Sequence, residues 1–424
     1  MKKCNLVQFL FEYKRKFLEN QKPSDMQGHD GKAFTRNRSL TFSRIILLLF
    51  RVSPYGLQIR LDNFFQEIGH KEESVSKQAL SKARTNVNPD IFKESFYLTA
   101  KTMSGLEDLE LYKNRFRLCV FDGSTIALDN AQVLKEEFGC SGSKQNAATA
   151  LASLCYDPLN NIILSGGLYP YKTSERDALI EQLDVVEALP LENGAENLSI
   201  SDRGYPSRRL FAKFIDERKY FLMRVRQKFN VHFDHVEKEE CVTFVYNNKE
   251  YTVRVLVLTL DSGEKEILVT NLEDEYLHYD EAADLYFKRW AIESKYNSLK
   301  NKLELENMSG RRPVTVYQDF WAKLDIANMM AAVKYDTNEK IEERTADNDN
   351  KYKRTTNENR LISKFSQRYI ELFTNSDEDE RMALFDELVA DIAKYSVEVK
   401  PNRKNKRQEP RDMKFHDRVK RSLQ

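Results

Sequence analysis

From Arg115 onward the chain alternates short apolar runs with amphipathic stretches, and this alternation constrains the fold more than any other feature. RLCVFDGS at 117–124 reads as a buried strand that ends in a turn. ATALASLCYD and NIILSGGLYP read as a hairpin pair around the turn at 158–161. SERDALIEQLDVVEAL and SRRLFAKFIDER have helical spacing, while NLSISDRG and YFLMRV read as further strands. This order implies an α/β fold, a mixed sheet with helices packed against it. Between about 226 and 266 the pattern is nearly all β. VTFVYNN and KEYTVRVLVLTL meet at Asn-Asn-Lys, a hairpin signal, so the segment reads as a β-rich insertion.

Helical segments flank this region. Residues 1–32 are polar and mixed, and read as a loosely held arm. From 34 to about 106 the spacing is helical, with Leu57, Ile59, Leu61, Phe64, Phe65 and Ile68 on one side of a helix. The basic segment that follows Ser74 opens on hydroxyl caps. Three short helices ending in a Ser/Lys/Gln/Arg-rich one fit either a helix-turn-helix-like DNA reader or an ordinary bundle with a solvated third helix. The expected organisation is an arm at 1–32, a helical domain at 33–108 and a sheet domain at 109–335. A polar linker with two amphipathic helices follows at 336–399, and a basic tail at 400–424. The tail holds ten Lys/Arg against three acids, which suits a polyanionic partner or simply a solvated end.

Composition narrows the class. With 25 Phe and 20 Tyr in 424 residues, the chain carries enough aromatic surface for a sizeable core. The longest aliphatic run, at 45–50, is far short of the roughly 20 residues a membrane span needs. The opening residues lack the apolar stretch of a signal peptide. The five cysteines are odd in number and widely spaced with no CxxC, so no disulfide framework or thiolate zinc site is expected. The expected compartment is reducing and cytoplasmic, with no membrane partner. No Gly-rich phosphate loop, nucleophile elbow or Cys/His dyad is present, so no nucleotide cofactor is expected.

The chemistry concentrates in a segment expected to form one long helix from about 280 to 303. At about 100° per residue, Tyr286, Arg289, Glu293 and Lys300 fall on one face, beside an apolar stripe of Leu285, Ile292, Leu299 and Leu303. Two aspartates join this Glu. Asp122 closes RLCVFD before Gly123-Ser124, and Asp202 closes NLSISD before Arg203-Gly204-Tyr205. Each alone is explained by a turn. Together, two strand-end aspartates and a helical Glu form a set that can hold two Mg²⁺ ions through oxygen and promote phosphoryl transfer. Arg289, Lys300 and Tyr286 suit phosphate oxygens.

These blocks resemble the bacterial insertion-sequence transposases of the DDE type, in particular the group with a Y-x2-R-x3-E-x6-K helix. Tyr286, Arg289, Glu293 and Lys300 match every spacing, as do Asp122-Gly123-Ser124 and Asp202-Arg203-Gly204-Tyr205. The resemblance runs from about 34 to about 332. It implies an RNase H-like catalytic domain at 109–335, with Asp122, Asp202 and Glu293 as catalytic metal ligands for two Mg²⁺ or Mn²⁺ ions. It implies that Tyr286, Arg289 and Lys300 contact DNA phosphates, joined by Arg203 and Tyr205. It also implies a helical N-terminal module for terminal inverted repeats, target DNA as second substrate, and a homodimer on DNA, near the nucleoid. The competing expectation is a domesticated relic that binds DNA without cutting it. A two-carboxylate glycosidase leaves the helical Arg and Lys without a role.

Some of these transposases stack an extruded base on a Trp in the β-insertion. Here the two tryptophans, Trp290 and Trp321, lie outside it, so Trp290, Phe229 and Tyr246 are the candidate base-stacking residues, with Phe233, Phe244 and Tyr251 also available. His232 and His235 are three apart in a segment that reads as β, where they would point to opposite faces.

Overall fold

The computed structural model describes residues 6–21, 34, 38–51, 55–73, 75–142, 146–191, 194–259, 263–346 and 351–400. The chain divides into two units, Met1–Thr99 with Leu299–Gln424, and Ala100–Ser298. The helices are α1 (Leu6–Asn20), α2 (Phe42–Leu49), α3 (Leu57–Glu67), α4 (Lys77–Arg84), α5 (Asp90–Ser104), α6 (Gln132–Phe138) and α7 (Glu175–Glu187). They continue with α8 (Arg208–Asp216), α9 (Val231–Asp234), α10 (Ala282–Phe287), α11 (Trp290–Asn301), α12 (Pro313–Thr345), α13 (Glu358–Thr374) and α14 (Glu378–Ala393). The main strands are β1 (Phe116–Ala127), β2 (Cys140–Ser141), β3 (Ala147–Asp157), β4 (Ile162–Pro170), β5 (Glu196–Ser201), β6 (Tyr220–Val225), β7 (Glu239–Tyr246), β8 (Lys249–Thr259) and β9 (Lys265–Thr270).

In the unit Ala100–Ser298 the strands form one nine-stranded sheet, ordered β2-β3-β1-β5-β6-β9-β8-β7 with β4 on β3. β4, β3 and β1 are successively antiparallel, whereas β5 runs parallel to β1 and β6 parallel to β5. Three antiparallel strands followed by two parallel ones, flanked by helices, make this an RNase H-like α/β fold. β1 sits at the centre because Phe116, Leu118, Cys119, Val120 and Phe121 are buried on both faces. On one face α7 packs through Ala178, Leu179, Leu183 and Val186. A polar clasp fixes its place: Gln182 donates to the Ser153 hydroxyl (2.9 Å) and accepts from the Ser165 hydroxyl (2.7 Å).

The β-rich stretch at 226–266 does not stand apart from the sheet. β9 pairs antiparallel with β6, and β8 and β7 add to its far edge. The open edge of β6 needs a partner for its backbone groups, and β9 supplies it. Asn247 (φ 50°) and Asn248 (φ 60°) turn the β7–β8 hairpin, as a tight turn with two left-handed residues requires. The segment around His232, expected as β, is instead the short helix α9, opened by the Asn230 side chain accepting from the His232 N–H (3.0 Å).

The other unit corrects two expectations. The arm expected at 1–32 contains α1, whose Leu6, Val7, Leu10, Phe11 and Leu18 form a buried stripe. It is pinned by a buried ion pair. Lys14 Nζ lies 2.5 Å from Asp325, which also accepts from the hydroxyls of Ser95 and Thr99, each at 2.6 Å. Burial pushes the Lys14 ammonium below its ordinary value, against the pull of Asp325. The linker expected from 336 is helical to Thr345, because α12 keeps burying residues there (Thr337, Ile341). Basic α4 exposes Lys77, Gln78, Ser81 and Lys82, while its Arg84 is buried on Asp319 (2.8 Å), Gln318 and Ser309. The tail beyond Lys400 lies outside the described residues. No helix among the described residues is long and apolar enough to cross a membrane.

Two outcomes are expected. Lys14→Ala leaves a buried carboxylate unpaired and should cost about 3–5 kcal/mol in chemical denaturation. Lys14→Met with Asp325→Leu should recover most of that loss. At the β3–β4 turn, burial pushes the Asp157 carboxyl up to about 6, opposed by hydrogen bonds from Asn160 and Leu159. Its folded value lies above the unfolded one, so its contribution is full below about pH 4 and is lost as pH rises through about 6. Asp157→Asn should therefore remove roughly 1–3 kcal/mol of the stability change between pH 4 and 7. An unchanged difference in urea midpoints would contradict this.

Candidate active site

Asp122 is not at the end of its strand. β1 runs on to Ala127, and Asp122 lies mid-strand. What ends there is its neighbour. The parallel pairing with β5 stops at Phe121↔Ser201, while pairing with β3 continues to Ala127↔Thr149. Asp122 and Asp202 therefore occupy the next positions on two adjacent parallel strands, at the rim where β5 has left the sheet. Such a rim at strand carboxyl ends is where α/β folds bind ligands.

Asp202 is held from two sides. Its Oδ1 accepts from the Arg203 N–H at 2.6 Å and from the Tyr286 hydroxyl at 3.3 Å. Burial pushes the Asp122 carboxyl up to about 7. Arg289 and the Gly123 N–H oppose that rise, and the charges of Glu175 and Glu293 add to it.

The expected single helix is broken. α10 ends at Phe287 and α11 starts at Trp290. Across the break the N–H groups of Lys288, Arg289, Ala291 and Ile292 bond three residues back rather than four. This tight turn lets Tyr286 and Arg289 sink while their neighbours stay out. Tyr286 is 2% and Arg289 3% exposed, against 70% for Phe287 and 39% for Trp290. Arg289 Nη2 donates to Glu293 at 3.1 Å, and its guanidinium lies 4.8 Å over the Trp290 ring. Its Nε is buried and makes no hydrogen bond. Burial works against the Arg289 charge, but Tyr286, Asp202 and Glu293 outweigh it and hold the guanidinium charged. The Tyr296 hydroxyl lies 2.9 Å from the Asp122 carbonyl and 3.0 Å from that of Ala152, which ties α11 to β1 and β3.

The expected residues divide. Asp122, Asp202, Glu293, Tyr286 and Arg289 come together. Arg203 is exposed at the rim. Tyr205, expected to face DNA, is buried to 1%. Lys300, two turns beyond Glu293, pairs with Glu306 at 3.5 Å. Phe229 packs against Phe211 and Phe233, and Phe233, Phe244 and Tyr251 are buried. Tyr246 is half-buried at the β7–β8 turn, so Trp290 and Phe287 offer the most open aromatic faces.

One acid escaped the sequence reading. The Glu175 carboxylate lies over the backbone of both aspartate motifs. A Cβ on Gly123 would stand 2.7 Å from its Oε1, and one on Gly204 2.9 Å from its Oε2. Burial and the Asp202 charge push Glu175 upward, with Arg176 opposing. The available signal was a Glu sharing the apolar stripe of Ala178, Leu179 and Gln182. Among the described residues no three His, Cys, Asp or Glu side chains, Asp122, Asp202 and Glu175 included, stand close enough to hold a metal ion as placed, and Glu293 is turned to Arg289. The donor set is nonetheless all carboxylate oxygen, which fits a hard divalent cation.

Tyr296→Phe should cost about 1–3 kcal/mol through unpaired carbonyls. It should also speed amide exchange along α11, measurable by hydrogen–deuterium exchange.

No curated protein matches the chain. Among solved structures, a cryo-EM structure of the piggyBac transposase synaptic complex with hairpin DNA is 8% identical, covering 90% of this chain and 84% of that one at a TM-score of 0.45. The transposase DDE domain family matches residues 113–329, half of the chain and every acid of the site. The protein belongs to the transposase DDE-domain family.

Proposed function

We propose that this chain is a metal-dependent DNA transposase that cuts the ends of a mobile element and joins them to target DNA. The supporting observation is the placement of Asp122 and Asp202 on adjacent strand positions at an open rim, with Glu293 held beside them by Arg289. Asp122, Asp202 and Glu293 would hold two Mg²⁺ or Mn²⁺ ions. When bound, such ions activate an attacking oxygen and stabilise a leaving one in phosphoryl transfer. The chain's own residues prepare the site. Tyr286 orients Asp202, Arg289 keeps Glu293 in place, and Tyr296 anchors the helix that carries it.

The exposed Arg203 and the half-buried Lys300 supply cationic donors to phosphate oxygens, with the Arg289 guanidinium adding its charge. Trp290 offers a stacking face for a displaced base, with Phe287 next to it. The exposed Lys77, Gln78, Ser81 and Lys82 of α4 suit the groove and backbone of the terminal inverted repeats. Water attack at each end releases a 3′-hydroxyl, which then attacks target DNA. Joining two ends calls for two copies of the chain on DNA, in the compartment that holds the chromosome.

The test is cleavage of DNA carrying the element's own ends in Mg²⁺ or Mn²⁺. Wild type should cut at the element boundary. Asp122→Asn and Glu293→Gln should bind the ends and cut at background rates. Binding without cutting by every protein, wild type included, would overturn the catalytic reading in favour of a DNA-binding relic.

A further inference from the structure

We infer that Glu175 is a fourth carboxylate of this site and a ligand to the divalent ion it holds, alongside Asp122 and Asp202; the inference rests on the metal-binding reading above.

Position carries the argument. Glu175 opens α7, and its side chain lies on the same stripe as Ala178, Leu179 and Gln182, the stripe that faces the sheet. Gln182 is clasped between Ser153 and Ser165, so the rotation and height of α7 on the sheet are set. Ser153 in turn pairs with Gly123, the residue after Asp122. The helix therefore delivers the Glu175 carboxylate over Gly123 and Gly204, one oxygen towards each aspartate motif. The two motif glycines gain a reason: an alanine at either position would push this carboxylate aside.

An acid in a first helical turn usually serves the helix dipole from the solvent side. On α7 the exposed Asp177 already does that. Glu175 instead faces inward, towards other acids, and makes no hydrogen bond or ion pair among the described residues. A half-buried carboxylate set beside Asp202 without a partner is a costly arrangement unless a cation joins it. Around Asp122 the charges of Glu175 and Glu293 stand against the Arg289 guanidinium, and around Glu175 the charge of Asp202 stands against Arg176.

A second observation points to a missing occupant. The Tyr205 hydroxyl is buried in the field of Glu175, Asp122 and Asp202, yet donates to none of them and has no partner. An orphaned donor among carboxylates suits the water shell of a bound divalent ion.

The test is Mn²⁺ binding to the full chain, read from the loss of the free-ion paramagnetic resonance signal, with no DNA and no turnover. Glu175→Gln should weaken binding about tenfold or more. Glu175→Asp should recover part of it, and Gly204→Ala should weaken binding with every carboxylate intact. In metal-free buffer the thermal midpoint of Glu175→Gln should hold or rise, since a repulsion is relieved; a fall would mark a structural role and overturn the inference. Weakened binding in Asp122→Asn with wild-type binding in Glu175→Gln would overturn the role of Glu175 alone. Wild-type binding in both would overturn the metal-binding reading of the whole site.

Discussion

The parallel pairing of β1 with β5, from Phe116↔Glu196 to Phe121↔Ser201, is the constraint on which the site depends. It is held by buried apolar residues on both strands, Leu118 and Val120 against Leu198 and Ile200. A slip of one residue would turn each of these side chains to the opposite face and separate Asp122 from Asp202. The core that stabilises the sheet thus also sets the registration of Asp122 and Asp202. Because β5 ends at Ser201 while β1 continues, the same pairing creates the gap in which those acids meet.

Gathering carboxylates at that gap is unfavourable, and the rest of the unit compensates for it. Burial and neighbouring charge hold Asp122 near 7 and raise Glu175. The opposing elements are few and specific. Arg289 is buried with one nitrogen unpaired, Tyr286 donates to Asp202, and Arg176 opposes the rise of Glu175. Local disfavour kept in place by a well-packed surrounding structure is characteristic of functional sites, where the stored cost is released when a ligand arrives. The break between α10 and α11 belongs to the same logic. It costs regular hydrogen bonding, yet it turns Arg289 inward and leaves Phe287 and Trp290 outside.

The other unit follows different physics. Two of its buried cations meet buried carboxylates. Lys14 meets Asp325 with two hydroxyls in support, and Arg84 meets Asp319 with Ser309 and Gln318. Both carboxylates lie on α12, so this helix specifies how α1, α4 and α5 are placed around it. A satisfied pair confers specificity, whereas Glu175 in the sheet unit makes no hydrogen bond or ion pair among the described residues.

Most strands and helices were legible because period and turn chemistry survive in the sequence. The Asn247-Asn248 hairpin, the 158–161 turn and the apolar stripe of α3 are local signals, and the three acidic motifs carried the family. What escaped depended on distant partners. α1 looked like a polar arm because Lys14 and Leu10 find their partners only in the folded unit. The β-insertion was legible as strands within the larger domain, but its pairing with β6 was not, because edge pairing leaves no mark in either strand. Tyr205 and Arg289 looked like surface contacts because burial of a polar tip cannot be read from spacing. Residue order alone singled out Asp122, Asp202 and Glu293 and the kind of element that carries each, since those follow from local pattern. Only the tertiary structure decided that Asp122 lies mid-strand, that Arg289 turns inward and that Glu175 joins the group, because each depends on where a neighbouring element ends or docks.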